Sequence, residues 1–96
     1  MSVLGEITRN RDAIVALGAQ CGLSDIRVFG SVARGEETSD SDVDVLVNVA
    51  DASDPLAFVD FQEALSEMLS RKVDLVFERG LYPLLRERIL AEAKDL

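Results

Sequence analysis

Val43 to Val49 read as a β-strand that is apolar on both faces for most of its length and carries a carboxylate at its mouth. Val43, Val45 and Val47 take one face, and Asp44, Leu46 and Asn48 take the other. A strand buried on both sides needs cover above and below, which predicts a sheet layered against helices. Its acidic end is harder to house, because a carboxylate among apolar neighbours needs a partner. Asp42, two residues earlier, leaves the same face as Asp44, about 7 Å away along the backbone. Two such charges oppose each other's ionisation. A divalent cation removes that conflict, so the pair is a candidate Mg²⁺ site for phosphoryl or nucleotidyl transfer.

The flanking segments supply the layers. Thr8 or Asn10 is placed to cap a helix running to about Gln20, with Ile14, Leu17 and Val15 facing inward, and Gly22 stops it. Ile26 to Phe29 is a short strand ended by Gly30-Ser31. Pro55, with Asp54 as cap, opens a helix to about Leu69 or Ser70 whose inner stripe is Phe58, Phe61, Leu65 and Leu69. Val73 to Phe77 is a third strand, and Leu84 to Ala93 a last helix with Leu85, Ile89 and Ala93 turned to the core. A helix crossing between the second and third strands predicts a parallel pair. The expected fold is α/β (α+β), a small mixed sheet of three or four strands flanked by helices, as one domain over residues 1–96.

Composition removes several function classes. The formal charge is −8, with no Lys/Arg-rich arm, so direct nucleic-acid binding is not expected. A single nucleotide that arrives with its metal stays open, since the cation supplies local positive charge. The chain has no histidine, which excludes His-based metal sites and Ser-His-Asp chemistry. Its one cysteine, Cys21, reads as a small buried hydrophobe. No apolar run approaches 18 residues and no amino-terminal signal is evident, so the expected location is cytoplasmic, away from membranes.

The glycines before the acids have separable jobs. Gly30 lets the chain turn sharply after a strand, and Ser31 adds a hydroxyl suited to a phosphate oxygen. A short helical turn from there aims amides at the same anion. Arg34 reads either as a phosphate contact or as a partner for the neighbouring acids, and Gly35 permits a second close turn. The run lacks the GK[ST] ending of a Walker loop. Glu36, Glu37 and Asp40 fall on a solvated loop. Asp74, between Val73 and Leu75, reaches Asp42 and Asp44 if its strand lies beside theirs, as a base or a third metal ligand. The plainer alternatives are that Asp42 turns the chain, Asp44 pairs with an arginine, and Asp74 pairs with Lys72, Arg71 or Arg79. Three acids and an anion-gripping turn suit in-line attack on an α-phosphorus, and attack on a γ-phosphorus is also compatible.

Gly30-Ser31-Val32-Ala33-Arg34-Gly35 followed by Ser41-Asp42-Val43-Asp44 resembles the signature of the minimal nucleotidyltransferases of the DNA polymerase beta superfamily, the MNT or MntA-like group. Asp74 matches the family's third carboxylate. Glu78 to Leu81 and Arg86 to Leu90 look like its closing segment. The resemblance implies one or two Mg²⁺ ions and ATP as substrate. Gly30 and Ser31 would hold the β- and γ-phosphates, Asp42 and Asp44 the metals, and Asp74 would activate the acceptor hydroxyl. It also implies a HEPN-domain toxin as partner and a type VII-like antitoxin role, with AMP placed on a toxin tyrosine. A non-catalytic antitoxin that works by binding, and nucleotidyl transfer to a small molecule, are the rival readings. Leu81, Tyr82, Leu84 and Leu85 either dock a partner or finish the core, with packing preferred, and a homodimer stays open.

Overall fold

The computed structural model describes residues 2–49 and 55–96. Its helices are α1 (Val3–Arg9), α2 (Arg11–Gln20), α3 (Gly30–Arg34), α4 (Pro55–Leu69) and α5 (Pro83–Glu92). Its strands are β1 (Leu23–Phe29), β2 (Val43–Val49), β3 (Val73–Phe77) and β4 (Lys94–Asp95), with a 3₁₀ turn at Glu78–Gly80. They form one mixed sheet in the order β3-β2-β1-β4. β2 and β3 are parallel, and β1 is antiparallel to both β2 and β4. The parallel pair exists because α4 lies between β2 and β3 in the chain, as a crossover requires.

Val43, Val45 and Val47 point into the core, where they join Phe61, Leu65 and Leu69 of α4, Ile14 of α2 and Ile7 of α1. Leu46 is equally buried on the opposite face, apart from that cluster. β2 is therefore covered on both sides, as its sequence requires. Phe58 is half-buried and stacks on Phe77 with ring centroids 4.7 Å apart. Cys21 is half-buried against the core. Among the described residues no helix is long and apolar enough to cross a membrane.

The amino-terminal half departs from the sequence expectation in two ways. One helix capped at Thr8 or Asn10 is in fact two helices. Ser2 caps α1 by accepting the Gly5 N–H at 3.0 Å, and Asn10 closes it. The Asn10 amide donates back to the Glu6 carbonyl at 2.9 Å, so its side chain serves the end of α1 and leaves α2 without a side-chain cap. Val15 does not face inward: it is 42% exposed. The inner face of α2 is Ile14 and Gly18, because a bare Cα at Gly18 lets the helix close on Ile26; a Cβ there would overlap the Ile26 side chain. Val15→Lys should accordingly change stability by less than about 0.5 kcal/mol in a urea melt. A loss several times larger would restore Val15 to the core.

Gly22, at φ +75°, ends the α2 region as expected, but β1 begins at Leu23 rather than Ile26. A bulge lies between Ser24 and Arg27, with Asp25 in the left-handed region at φ +51°. The expected Asp54 cap lies outside the described residues.

At the other end, the preference for core packing of the last helix is overturned. α5 buries none of its residues; Leu85 is exposed, while Ile89 and Ala93 are only half-buried. Leu84 is 94% and Tyr82 76% exposed, and Leu81 is half-buried. Polar contacts hold this end instead. Arg86 approaches Glu78 at 3.5 Å, β4 pairs with β1, and the Leu96 N–H donates to the Ile26 carbonyl at 3.1 Å.

Candidate active site

β1 runs directly into α3, since Phe29 ends the strand and Gly30 starts the helix. Gly30 stands at φ +75°, which favours glycine on backbone grounds alone. Space gives a second reason. Phe29 pairs with Asp44 across the antiparallel ladder, and a Cβ on Gly30 would overlap the Asp44 carboxylate. Val32 and Ala33 bury the inner side of α3, while Ser31 stays half-buried. Gly35, at φ +71°, ends the turn, and the Glu36 N–H closes it on the Ser31 carbonyl at 2.9 Å.

The three sequence-predicted aspartates lie at the same end of the sheet. Asp44 of β2 and Asp74 of β3 are direct partners in the parallel ladder, so their side chains leave the same face from strands about 4.8 Å apart. Asp42 stands just ahead of β2, and the segment leading into β3 pins its neighbours. Arg71 Nη1 donates to the Thr38 carbonyl at 2.8 Å and the Ser41 carbonyl at 3.0 Å, and the Val43 N–H donates to the Lys72 carbonyl at 2.9 Å. Lys72 Nζ lies 3.7 Å from Asp42 and 3.9 Å from Asp74. This ammonium is mostly exposed, so its attraction is weak.

Burial pushes the Asp44 carboxyl above the ordinary aspartate range. The charges of Asp74 and Asp42 push the same way, against a smaller pull from Arg34. Among the described residues, no three His, Cys, Asp or Glu side chains are gathered closely enough to enclose an ion. The donor set nevertheless fits Mg²⁺, a hard cation that is commonly held by one or two carboxylates together with substrate phosphates, without an all-protein cage.

Arg34 is tied to acids on both sides: Nε donates to Glu36 at 3.1 Å and Nη1 to Glu92 at 2.8 Å. Glu92 also accepts the Gly30 N–H at 3.3 Å. The Arg34 hydrogen bond holds the Glu92 carboxyl below its usual range, against a smaller effect of burial. Lys72, one of the partners the sequence offers for Asp74, stands within 3.9 Å of it, whereas Glu92 carries no signal in the sequence as a site residue. Glu92 lies 62 positions from Gly30, and no local pattern links them. Of the loop acids, Glu36 and Asp40 are exposed as expected, whereas Glu37 is half-buried and accepts the Val3 N–H of α1 at 3.2 Å. A cavity of about 440 Å³ lies elsewhere, lined by Ala19, Leu23, Ile26, Arg27 and Leu96, with none of the three aspartates in its wall.

The sequence matches the nucleotidyltransferase domain family over residues 12–96. A Methanocaldococcus jannaschii protein provisionally named a protein adenylyltransferase is 34% identical over 93 residues, 97% of each chain. The protein adenylyltransferase MntA of Thermococcus cleftensis is 39% identical over 71 residues, covering 74% of this chain and 72% of that one. A solved structure, described provisionally as a minimal nucleotidyltransferase, superposes with a TM-score of 0.86 at 43% identity, over 100% of this chain and 97% of that one. A chain in a toxin-antitoxin complex with AMP-PNP superposes at 0.72 and 30% identity, over 90% and 71% of the two chains. A chain in the complex of tri-AMPylated Shewanella oneidensis HEPN toxin with MNT antitoxin superposes at 0.65 and 27% identity, over 92% and 69%. Since the family match takes in the glycine-serine turn and every strand of the sheet, the chain belongs to the nucleotidyltransferase family, among its minimal members.

Proposed function

We propose that this nucleotidyltransferase is a Mg²⁺-dependent protein adenylyltransferase that serves as antitoxin to a HEPN toxin, moving AMP from ATP to a tyrosine hydroxyl of that partner. The pairing of Asp44 with Asp74 beside the Gly30 turn carries the reading. It sets acids for metal and proton handling against a turn suited to phosphate. The relatives named as protein adenylyltransferases, the AMP-PNP complex and the AMPylated HEPN toxin support it.

Asp42 and Asp44 would hold the metal, with Asp74 as a third ligand or as the base. When bound, the cation supplies charge neutralisation on the triphosphate and eases formation of the attacking oxygen. The chain's own residues do the rest. Gly30, Ser31 and Gly35 shape the turn that receives the β- and γ-phosphates. Arg34, with Nε and Nη1 already on carboxylates, offers further N–H donors to a phosphate oxygen. Asp74 takes the proton of the partner hydroxyl as its oxygen bonds to the α-phosphorus, and pyrophosphate leaves with the broken bond's electron pair. The partner supplies the acceptor hydroxyl.

Intact mass of the partner after incubation with this protein, ATP and Mg²⁺ tests the proposal: the partner should gain one or more AMP units. Full toxin inhibition with an unchanged mass would replace transfer by inhibition through binding. Ser31→Ala should weaken use of the triphosphate by roughly 1–3 kcal/mol, read as a raised KM for ATP. An unchanged KM removes Ser31 from phosphate binding.

A further inference from the structure

The last turn of α5 reaches back to the glycine-serine turn through one side chain. Glu92 uses both carboxylate oxygens there: Oε1 accepts the Gly30 N–H at 3.3 Å, and Oε2 accepts Arg34 Nη1 at 2.8 Å. Gly30 and Arg34 are the first and last residues of α3, so one carboxylate clamps both ends of that turn. The Gly30 amide belongs to the first-turn donors that find no acceptor inside their own helix. Arg34's other acid, Glu36, lies just past the same turn and ties it only to itself. Glu92 alone of these contacts brings in a distant part of the chain. The helix that carries it buries no residue, so apolar packing does not explain why Glu92 sits where it does.

We propose that Glu92 is a positioning residue for the nucleotide: its carboxylate fixes the Gly30–Arg34 turn in the shape that receives the triphosphate. The inference rests on the reading of that turn given under Proposed function. The turn packs on the metal half where Gly30 meets the Asp44 carboxylate, but the hydrogen bonds that hold the two halves differ. Asp44 and Asp74 are set by the β2–β3 ladder, and Asp42 by the Arg71 and Lys72 contacts, none of which involves Glu92. The phosphate half lacks such a ladder. Its turn is a single short helix joined to the rest through β1, the buried side chains of Val32 and Ala33, and the Glu92 clamp. Loosening the clamp therefore acts on ATP capture more than on the chemical step.

Glu92→Gln keeps the side-chain volume and removes the charge, and Glu92→Ala removes both acceptors. In the nucleotide-free protein, amide hydrogen exchange over Gly30–Arg34 should quicken about tenfold in Glu92→Gln and further in Glu92→Ala. In transfer assays Glu92→Gln should raise KM for ATP about tenfold and leave kcat within about twofold. A lower KM would overturn the proposal, since Glu92 would then be competing with phosphate for the Gly30 and Arg34 donors. Unchanged exchange and KM with a reduced melting temperature would also overturn it, leaving Glu92 as an anchor for α5 alone. The two readings fail separately. Exchange is measured without nucleotide and decides the clamp; a wild-type protein that transfers nothing decides the transferase.

Discussion

Asp44→Asn should lower AMP transfer by at least about a hundredfold, the scale on which one electrostatic catalytic group matters, while the domain stays folded. Asparagine keeps the shape of the side chain and loses its charge. Asp44 is half-buried, and both its burial and the charges of Asp74 and Asp42 oppose its ionisation. Removing that charge relieves repulsion, so the metal-free variant should melt at or above the wild-type temperature. The pH dependence follows from the same direction. A carboxyl raised in the folded state binds more protons there than in the unfolded chain, so stability falls as pH rises from the ordinary aspartate value, about 3.9, through the raised one. Above that window the destabilisation is fully present; at lower pH it is relieved. Calorimetric melts of the metal-free wild type should show this decline, and Asp44→Asn should lack its share. Collapse of the variant would instead identify Asp44 as half of a structural ion pair.

Gly30→Ala should damage stability and activity together. A residue with a side chain at φ +75° carries backbone strain of about 1–3 kcal/mol, and here the added Cβ would also meet the Asp44 carboxylate. Either the turn or the acid has to move, so transfer should fall about as far as in Asp44→Asn. Gly35 provides the internal comparison. It has a similar φ, +71°, but a Cβ there meets nothing within 4 Å, so Gly35→Ala should lose only the strain. Urea midpoints for the pair measure the difference. Equal midpoints would show that Gly30 is kept for its backbone angle and not for the space beside Asp44.

The parts of this fold that were legible from sequence are those with long, regular periods. β2 alternates over seven residues, and α4 repeats Phe61, Leu65 and Leu69 at helical spacing, so the faces of both are legible, although Phe58 of the same stripe is only half-buried. The crossover requires β2 and β3 to run parallel if they are neighbours, and in that arrangement Asp74 falls beside Asp44, as the register has it. Short-range competition was not legible. Asn10 reads as a helix cap, yet its amide turns back to Glu6 and divides one expected helix into two. The spacing of Val15 fits an inner face as well as Ile14 does, until Gly18 shows which side approaches β1. Leu85, Ile89 and Ala93 have the spacing of a buried stripe, but α5 is held by ion pairs and by the β4 pairing. The tie between Glu92 and Gly30 is a contact between side chain and backbone across the whole fold, and nothing in local spacing encodes it.

Calorimetric titration with AMP-PNP, with and without Mg²⁺, tests the proposed joint metal and nucleotide site most directly. The wild type should bind the nucleotide tightly only when Mg²⁺ is present, and Asp44→Asn should lose that dependence along with most of the affinity. Equal binding with and without the cation, or the same affinity in wild type and Asp44→Asn, would contradict a site in which these aspartates hold the metal for the triphosphate.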